Sequence, residues 1–170
     1  MRDSTKILTA LLLFLCSLNY VSAQEVNPIS EDDVPLKILG YFYSSYKHAA
    51  EAEWSTVDEI GEKLLRVSFV ADDTDKAVLY DPNGELIEEV SFIAKNKSEY
   101  LIKSKISKKY PDSKLLTIKK VTRYDLAGMK KQPKSYFEVS AKNGKDIVYV
   151  FFDEDKQLLK PDNVFNLAIN

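Results

Sequence analysis

Apolar residues recur at helical spacing over Ile38, Leu39, Phe42 and Tyr46, after which the chain changes to period two. Asp32 or Asp33 is placed to cap this helix, and Pro35 falls in its first turn. Tyr41 and Tyr43 flank the apolar stripe. Ala52, Trp54 and Thr56 then alternate with Glu51, Glu53 and Ser55, which predicts a half-buried strand with Trp54 turned toward the helices. Leu65, Val67, Phe69 and Ala71 alternate in the same way with Arg66, Ser68 and Val70. Asp72, Asp73 and Asp75 mark a turn into a strand from Lys76 to Asp81. Asp81-Pro82-Asn83-Gly84 predicts a second turn, leading into a strand from Glu85 to Ile93, because proline fixes one φ and Asn-Gly accepts positive φ.

The same order then returns. Leu101, Ile102, Ile106 and Tyr110 share one side of a second helix, with Lys103, Lys105, Lys108 and Lys109 mostly on the other. Ser98 or Asn96 is its cap, and Pro111 ends it. Leu115 to Tyr124 reads as a long strand, and Gly128 to Pro133 as a basic loop. Ser135 to Ala141 and Asp146 to Phe152 are joined through Lys142-Asn143-Gly144-Lys145, where Asn-Gly is a strong hairpin signal. Ile147 to Phe152 is apolar throughout, as a strand covered on both faces or lying in an interface would be. The tail Val164 to Ile169 reads as one more strand or an exposed end. The offset between the halves runs from 64 residues at Tyr46 and Tyr110 to 72 at Tyr80 and Phe152, so loop lengths drift while element order holds. The expectation is an α+β fold: two tandem helix-plus-antiparallel-strand repeats, residues 33–93 and 97–160, forming one sheet of about eight strands with two helices on one face.

The N-terminus carries a different pattern. Arg2 and Lys6 precede the apolar run Ile7 to Cys16, and Val21-Ser22-Ala23 closes the segment, as in a secretory signal peptide cleaved after Ala23. The run is interrupted by Ser17, Asn19 and Ser22 and falls short of the roughly 20 apolar residues of a spanning helix. Leu15 stands before Cys16 where a lipoprotein would place a small residue. The expectation is a periplasmic or extracellular protein with no membrane span after cleavage, a polar, loosely ordered leader at residues 24–32, one domain at 33–160 and a tail at 161–170. Cleavage removes the only cysteine, so no disulfide braces the exported domain and its core must hold it. It leaves 22 basic and 25 acidic residues, a formal charge of −3, which argues against nucleic acid as a partner.

The order of helix, Trp strand, alternating strand and aromatic-Asp-x-x-Gly-x-Leu hairpin, given twice behind a signal peptide, resembles the PepSY-like, β-lactamase-inhibitor-like exported proteins common in Bacteroidetes. The residues that carry it are Val34-Pro35, Trp54, Tyr80-Asp81-Pro82-Asn83-Gly84-Glu85-Leu86, Tyr110-Pro111 and Phe152-Asp153, and it spans residues 33–160. The chain departs from the pattern at Tyr46-Lys47-His48-Ala49, where the family usually shows Tyr-Pro, and at Ser98-Glu99-Tyr100-Leu101, which lacks the usual proline. The resemblance implies two helices on one face of an antiparallel sheet, an open opposite face, and no established enzyme activity.

Catalytic chemistry has few candidates. His48 is the only histidine and sits at a helix end, where an imidazolium complements the helix dipole; no mature cysteine exists, so neither a nucleophile–base pair nor a zinc site is expected. Asp72, Asp73 and Asp75, and Asp81, Asn83 and Glu85, are oxygen-rich but match no twelve-residue calcium loop. Nothing among the many acidic residues selects a carboxylate pair for glycoside hydrolysis. No cofactor and no metal are expected. The lysines at 103, 105, 108, 109, 119, 120, 130, 131 and 134 make the second half the more basic, which reads as a solvated surface, with head-to-tail association or docking to an anionic envelope surface as the alternative. The alternation of the strands instead selects a binding face. If Leu65, Val67 and Phe69 face the helices, Arg66 and Ser68 face away; by the same rule Tyr136 and Glu138 point away while Phe137 and Val139 point in, and Arg123 joins from the long strand. The function expected is a noncatalytic module holding a protein or peptide on that face, with self-association of a structural or stress-related envelope protein as the alternative.

Overall fold

A computed structural model describes residues 26–59, 61–94, 100–124 and 133–160. Strand β1 (Val26–Pro28) leads through a short 3-10 turn (Glu31–Asp33) into helix α1 (Leu36–Ser45), followed by β2 (Ala50–Glu59), β3 (Glu62–Ala71), β4 (Thr74–Tyr80) and β5 (Leu86–Ile93). Helix α2 (Tyr100–Lys109) then precedes β6 (Lys114–Arg123), β7 (Lys134–Asn143), β8 (Asp146–Phe152) and β9 (Leu158–Leu159). All nine strands form one sheet in chain order, each antiparallel to its neighbour. The fold is α+β, with nine strands among the described residues.

Each helix seals one half of the sheet. Ile38 and Phe42 of α1 pack on Trp54, Val67, Phe69, Val78 and Tyr80, with Leu39 and Tyr46 at the margin of that cluster. Phe42 is fully buried and meets Trp54 and Phe69 edge to face, at 5.3 and 5.0 Å between ring centroids. Burial of such a side chain is worth roughly 1.5–3 kcal/mol, and the ring geometry adds to it. Ile102 and Ile106 of α2 pack on Ile118, Phe137, Val139, Ala141, Val150 and Phe152. Tyr41 and Tyr43 stay exposed. Between the two clusters the helix side of the sheet turns polar. Ser91 stands between Lys76 and Lys120 in register, and Glu89 lies opposite Thr122, whose hydroxyl is 2.9 Å from that of Ser135. This polar seam divides the interior into two cores.

Turn chemistry repeats as well. Asp81 N–H donates to the Glu85 carbonyl at 2.9 Å, Gly84 N–H to the Asp81 carbonyl at 3.0 Å, and Glu85 N–H to Asp81 Oδ1 at 2.7 Å. Asp153, Lys156 and Gln157 make the same three bonds at 2.9, 3.0 and 2.7 Å. Between β3 and β4, Ala71 pairs with Thr74, leaving Asp72 and Asp73 as a two-residue turn with φ of 52° and 55°. Both central residues of a type I′ turn need positive φ, and aspartate tolerates it.

Five local expectations change. Asp32 and Asp33 lie in the 3-10 turn, where Ser30 Oγ accepts from Asp32 N–H, and neither caps α1. Pro35 is the residue before α1, its carbonyl accepting from Ile38 and Leu39. Val26–Pro28, expected to be loosely ordered, pairs with Val57 to Ser55, and Ile29 packs against the first core. In the β7–β8 hairpin Asn143 pairs with Asp146, so Gly144 and Lys145 are the central residues; only Gly144 has positive φ, the requirement of a type II′ turn. Finally, β8 is not covered on both faces. Its only outer neighbour among the described residues is β9, at Phe151 and Phe152, and Ile147 and Tyr149 are 53% and 59% exposed. The expected caps Asn96 and Ser98, the expected signal segment, most of the 128–133 loop and the 164–169 tail lie outside the described residues.

Candidate binding face

The side of the sheet away from the helices is built by register. Ser68, Ala77, Val90, Val121 and Tyr136 stand opposite one another across β3 to β7. In the next row are Ser55, Arg66, Leu79, Glu88 and Arg123. On the other flank Phe92, Lys119, Glu138 and Phe151 form a third row. Arg66, Ser68, Arg123, Tyr136 and Glu138 therefore share one face and fall in three adjacent rows. With strands about 4.8 Å apart, three strand steps set Arg66 and Arg123 roughly 14 Å from each other.

Burial and pairing separate these five residues. Arg123 Nε donates to Glu88 Oε2 at 2.8 Å, and Lys119 Nζ to Glu138 Oε1 at 2.9 Å. Tyr136, expected to point outward as an anchor, does lie on this face but is only 5% exposed; its ring is tilted against Phe151 at 6.2 Å. Burial pushes the Tyr136 phenol up, while the Arg123 guanidinium pulls in the opposite direction. Arg66 and Ser68 are half-buried, and Arg66 enters no ion pair among the described residues. Val57, Leu64, Ala77 and Val121 are buried on this face, although they belong to neither core cluster. Continuing the alternation through β5 would have added Glu88, Val90 and Phe92. That strand carries polar residues on both sides, and its pattern is unreadable without the register.

A groove of about 540 Å³ opens at the first edge, where β1 leaves β2. Val26, Pro28, Ile29 and Trp54 give it apolar walls; Glu31, Glu53, Ser55, Arg66 and Ser68 give it polar ones. Oε2 of Glu31 accepts the Tyr43 hydroxyl at 2.9 Å. The Trp54 indole Nε1 is buried without a hydrogen-bond partner among the described residues.

On the helix side, the Tyr46 hydroxyl donates to Glu89 Oε2 at 3.1 Å. Burial, reinforced by Glu89, pushes the Tyr46 phenol far up and that of Tyr80 up to about 12. His48 is exposed in the turn after α1, and among the described residues no group of three or more His, Cys, Asp or Glu is arranged to hold a metal ion. No helix of the described residues is long and apolar enough to cross a membrane.

No family model and no curated protein matches the chain in sequence. Solved structures match its fold. A DUF2874 family protein from Bacteroides uniformis superimposes with a TM-score of 0.59 at 11% identity, over 75% of this chain and 87% of its own. A BLIP-like protein from Bacteroides fragilis gives 0.57 at 18% identity, over 76% and 89%. A Bacteroides eggerthii protein provisionally assigned to the periplasm gives 0.56 at 15% identity, over 75% and 86%. At these identities the similarity establishes the shared fold.

Proposed function

We propose that this protein is an exported, noncatalytic binding module of the PepSY-like, β-lactamase-inhibitor-like kind, holding a protein or peptide partner on the sheet face opposite its helices. One observation carries the reading: that face joins half-buried Leu79, Val90, Phe92 and Phe151 to an apolar floor of buried Ala77, Val121 and Tyr136, bordered by two ion pairs, while both helices lie on the other side. An apolar centre with a charged, partly desolvated border is the anatomy of a recognition surface. The B. fragilis protein, BLIP-like by description, supports the reading through its shared fold.

The test is capture from an envelope extract by the immobilised protein. Arg66→Glu combined with Phe92→Lys alters the open face, and Leu36→Glu, at a site 86% exposed on α1, is the control. A partner retained by the control and lost with the open-face variant, whose circular dichroism is unchanged, is the expected result. Equal capture by all three proteins overturns the reading.

Self-association is the second reading, and the uncovered stretch of β8 favours it. Asp146 to Val150 has no outer strand among the described residues, and Ile147 and Tyr149 project from it. An apolar edge without lysine or proline invites strand pairing. Sedimentation over a concentration series separates the readings, because self-pairing requires no extract.

A further inference from the structure

Resting on that reading, we propose that the groove lined by β1, β2 and β3 recognises an extended peptide carrying one acidic and one basic side chain two residues apart. Ser55 stands opposite Arg66 and Glu53 opposite Ser68, so Glu53 and Arg66 form the diagonal of a four-residue patch. Such diagonal positions lie about 7–8 Å apart. Side chains i and i+2 of an extended strand project to one side about 6.7 Å apart. The two spacings match, and an extended segment presents its charges at the interval the patch requires.

The charges define the occupant further. Elsewhere on this face Glu88 neutralises Arg123 and Glu138 neutralises Lys119, whereas Arg66 and Glu53 enter no ion pair among the described residues. Arg66 is half-buried, and a partly desolvated guanidinium gains most from a bidentate carboxylate. A simple anion at Arg66 would meet Glu53 and Glu31 in the same groove, and a simple cation at Glu53 would meet Arg66. A segment bearing both charges satisfies both sites. The Ser55 and Ser68 hydroxyls, which both donate and accept, suit the main chain between them, and Val26 and Pro28 supply an apolar wall.

The experiment is an NMR titration of the purified protein at low salt with three blocked pentapeptides: Gly-Glu-Thr-Lys-Gly, Gly-Lys-Thr-Lys-Gly and Gly-Glu-Thr-Glu-Gly. The amides of Ser55, Arg66 and Ser68 are followed together with the Arg66 side-chain Nε–H. Wild type should bind the mixed-charge peptide about fivefold more tightly than either like-charged one. Arg66→Glu should prefer the dilysine peptide and Glu53→Lys the diglutamate peptide. The same order of affinities in all three proteins, or shifts confined to other strands, overturns the proposal. Should the peptides fail while capture still depends on the open face, this inference falls and the proposed function stands. Loss of open-face dependence in capture removes the broader reading instead.

Discussion

Lys156 occupies in the second half the backbone position that Gly84 occupies in the first. Their φ angles are 62° and 84°, and each donates its N–H to an aspartate carbonyl at 3.0 Å, Asp153 and Asp81 respectively. The left-handed conformation costs a side-chain-bearing residue roughly 1–2 kcal/mol, yet the two sites differ in what surrounds them. A Cβ on Gly84 would stand 3.1 Å from Cγ1 of Ile38, in the first core. Lys156 instead lays its Nζ 4.3 Å from the centre of the Phe137 ring. Gly84→Ala is expected to lower the unfolding free energy by roughly 1–3 kcal/mol, through strain and crowding together. Lys156→Gly should change it by less than about 1 kcal/mol, because relieved strain is offset by glycine's unfolded-state freedom and the lost cation–π contact. Urea denaturation of both variants is the check, and equal losses would contradict the asymmetry.

Phe42 and Trp54 touch, but their truncations should differ. Phe42 is completely buried and loses contacts on several sides, so Phe42→Ala is expected to cost roughly 3–5 kcal/mol. Trp54→Phe opens a smaller cavity and also removes a buried N–H that has no acceptor among the described residues, a group whose burial costs roughly 1–3 kcal/mol. Its net loss should stay below about 1.5 kcal/mol. A larger loss for Trp54→Phe than for Phe42→Ala in thermal or urea melts would refute this assignment of the core.

Alkaline pH should unfold the first half of the molecule through its phenols. Burial and Glu89 raise Tyr80 to about 12 and Tyr46 further, whereas the unfolded chain ionises at about 10, the ordinary value of a tyrosine. Below about pH 10 both states are protonated and the stabilisation is fully present. As pH climbs past that value the unfolded state sheds protons first, and the stabilisation is lost as pH passes through about 12. Phenolate absorbance should rise in two phases, the later one coinciding with loss of circular dichroism. Glu89→Gln should move the later phase to lower pH.

Glu88 and Arg123 meet at 2.8 Å with side chains 20% and 34% exposed, conditions under which an ion pair contributes more than on an open surface. A double-mutant cycle with Glu88→Gln and Arg123→Gln is expected to give a coupling of roughly 1 kcal/mol, little reduced by 0.5 M salt. A coupling indistinguishable from zero would mean that the border of the open face does not hold these charges together.

The sequence by itself determined the duplicated element order, because periods of 3.6 and 2 follow from where a helix and a pleated strand project their side chains, with no knowledge of neighbours. Ile38, Phe42 and Tyr46 are matched at a constant step by Ile102, Ile106 and Tyr110, and Asp81 by Asp153 through an identical turn. Alternation also assigned Arg66, Ser68, Tyr136 and Glu138 to the side away from the helices.

Tertiary structure decided what alternation is blind to. Which strand lies beside which sets the partners of Arg123 and Glu138, and leaves Arg66 and Glu53 without an ion pair among the described residues. Position in the sheet exposes Ile147 and Tyr149 near an edge although the run around them reads as covered. Tyr136 is buried on a face that periodicity marks only as outward. The physical reason is common to all three: projection direction is a local property of the backbone, whereas burial and charge neutralisation depend on atoms supplied by distant segments, and those are fixed only when the strands find their register.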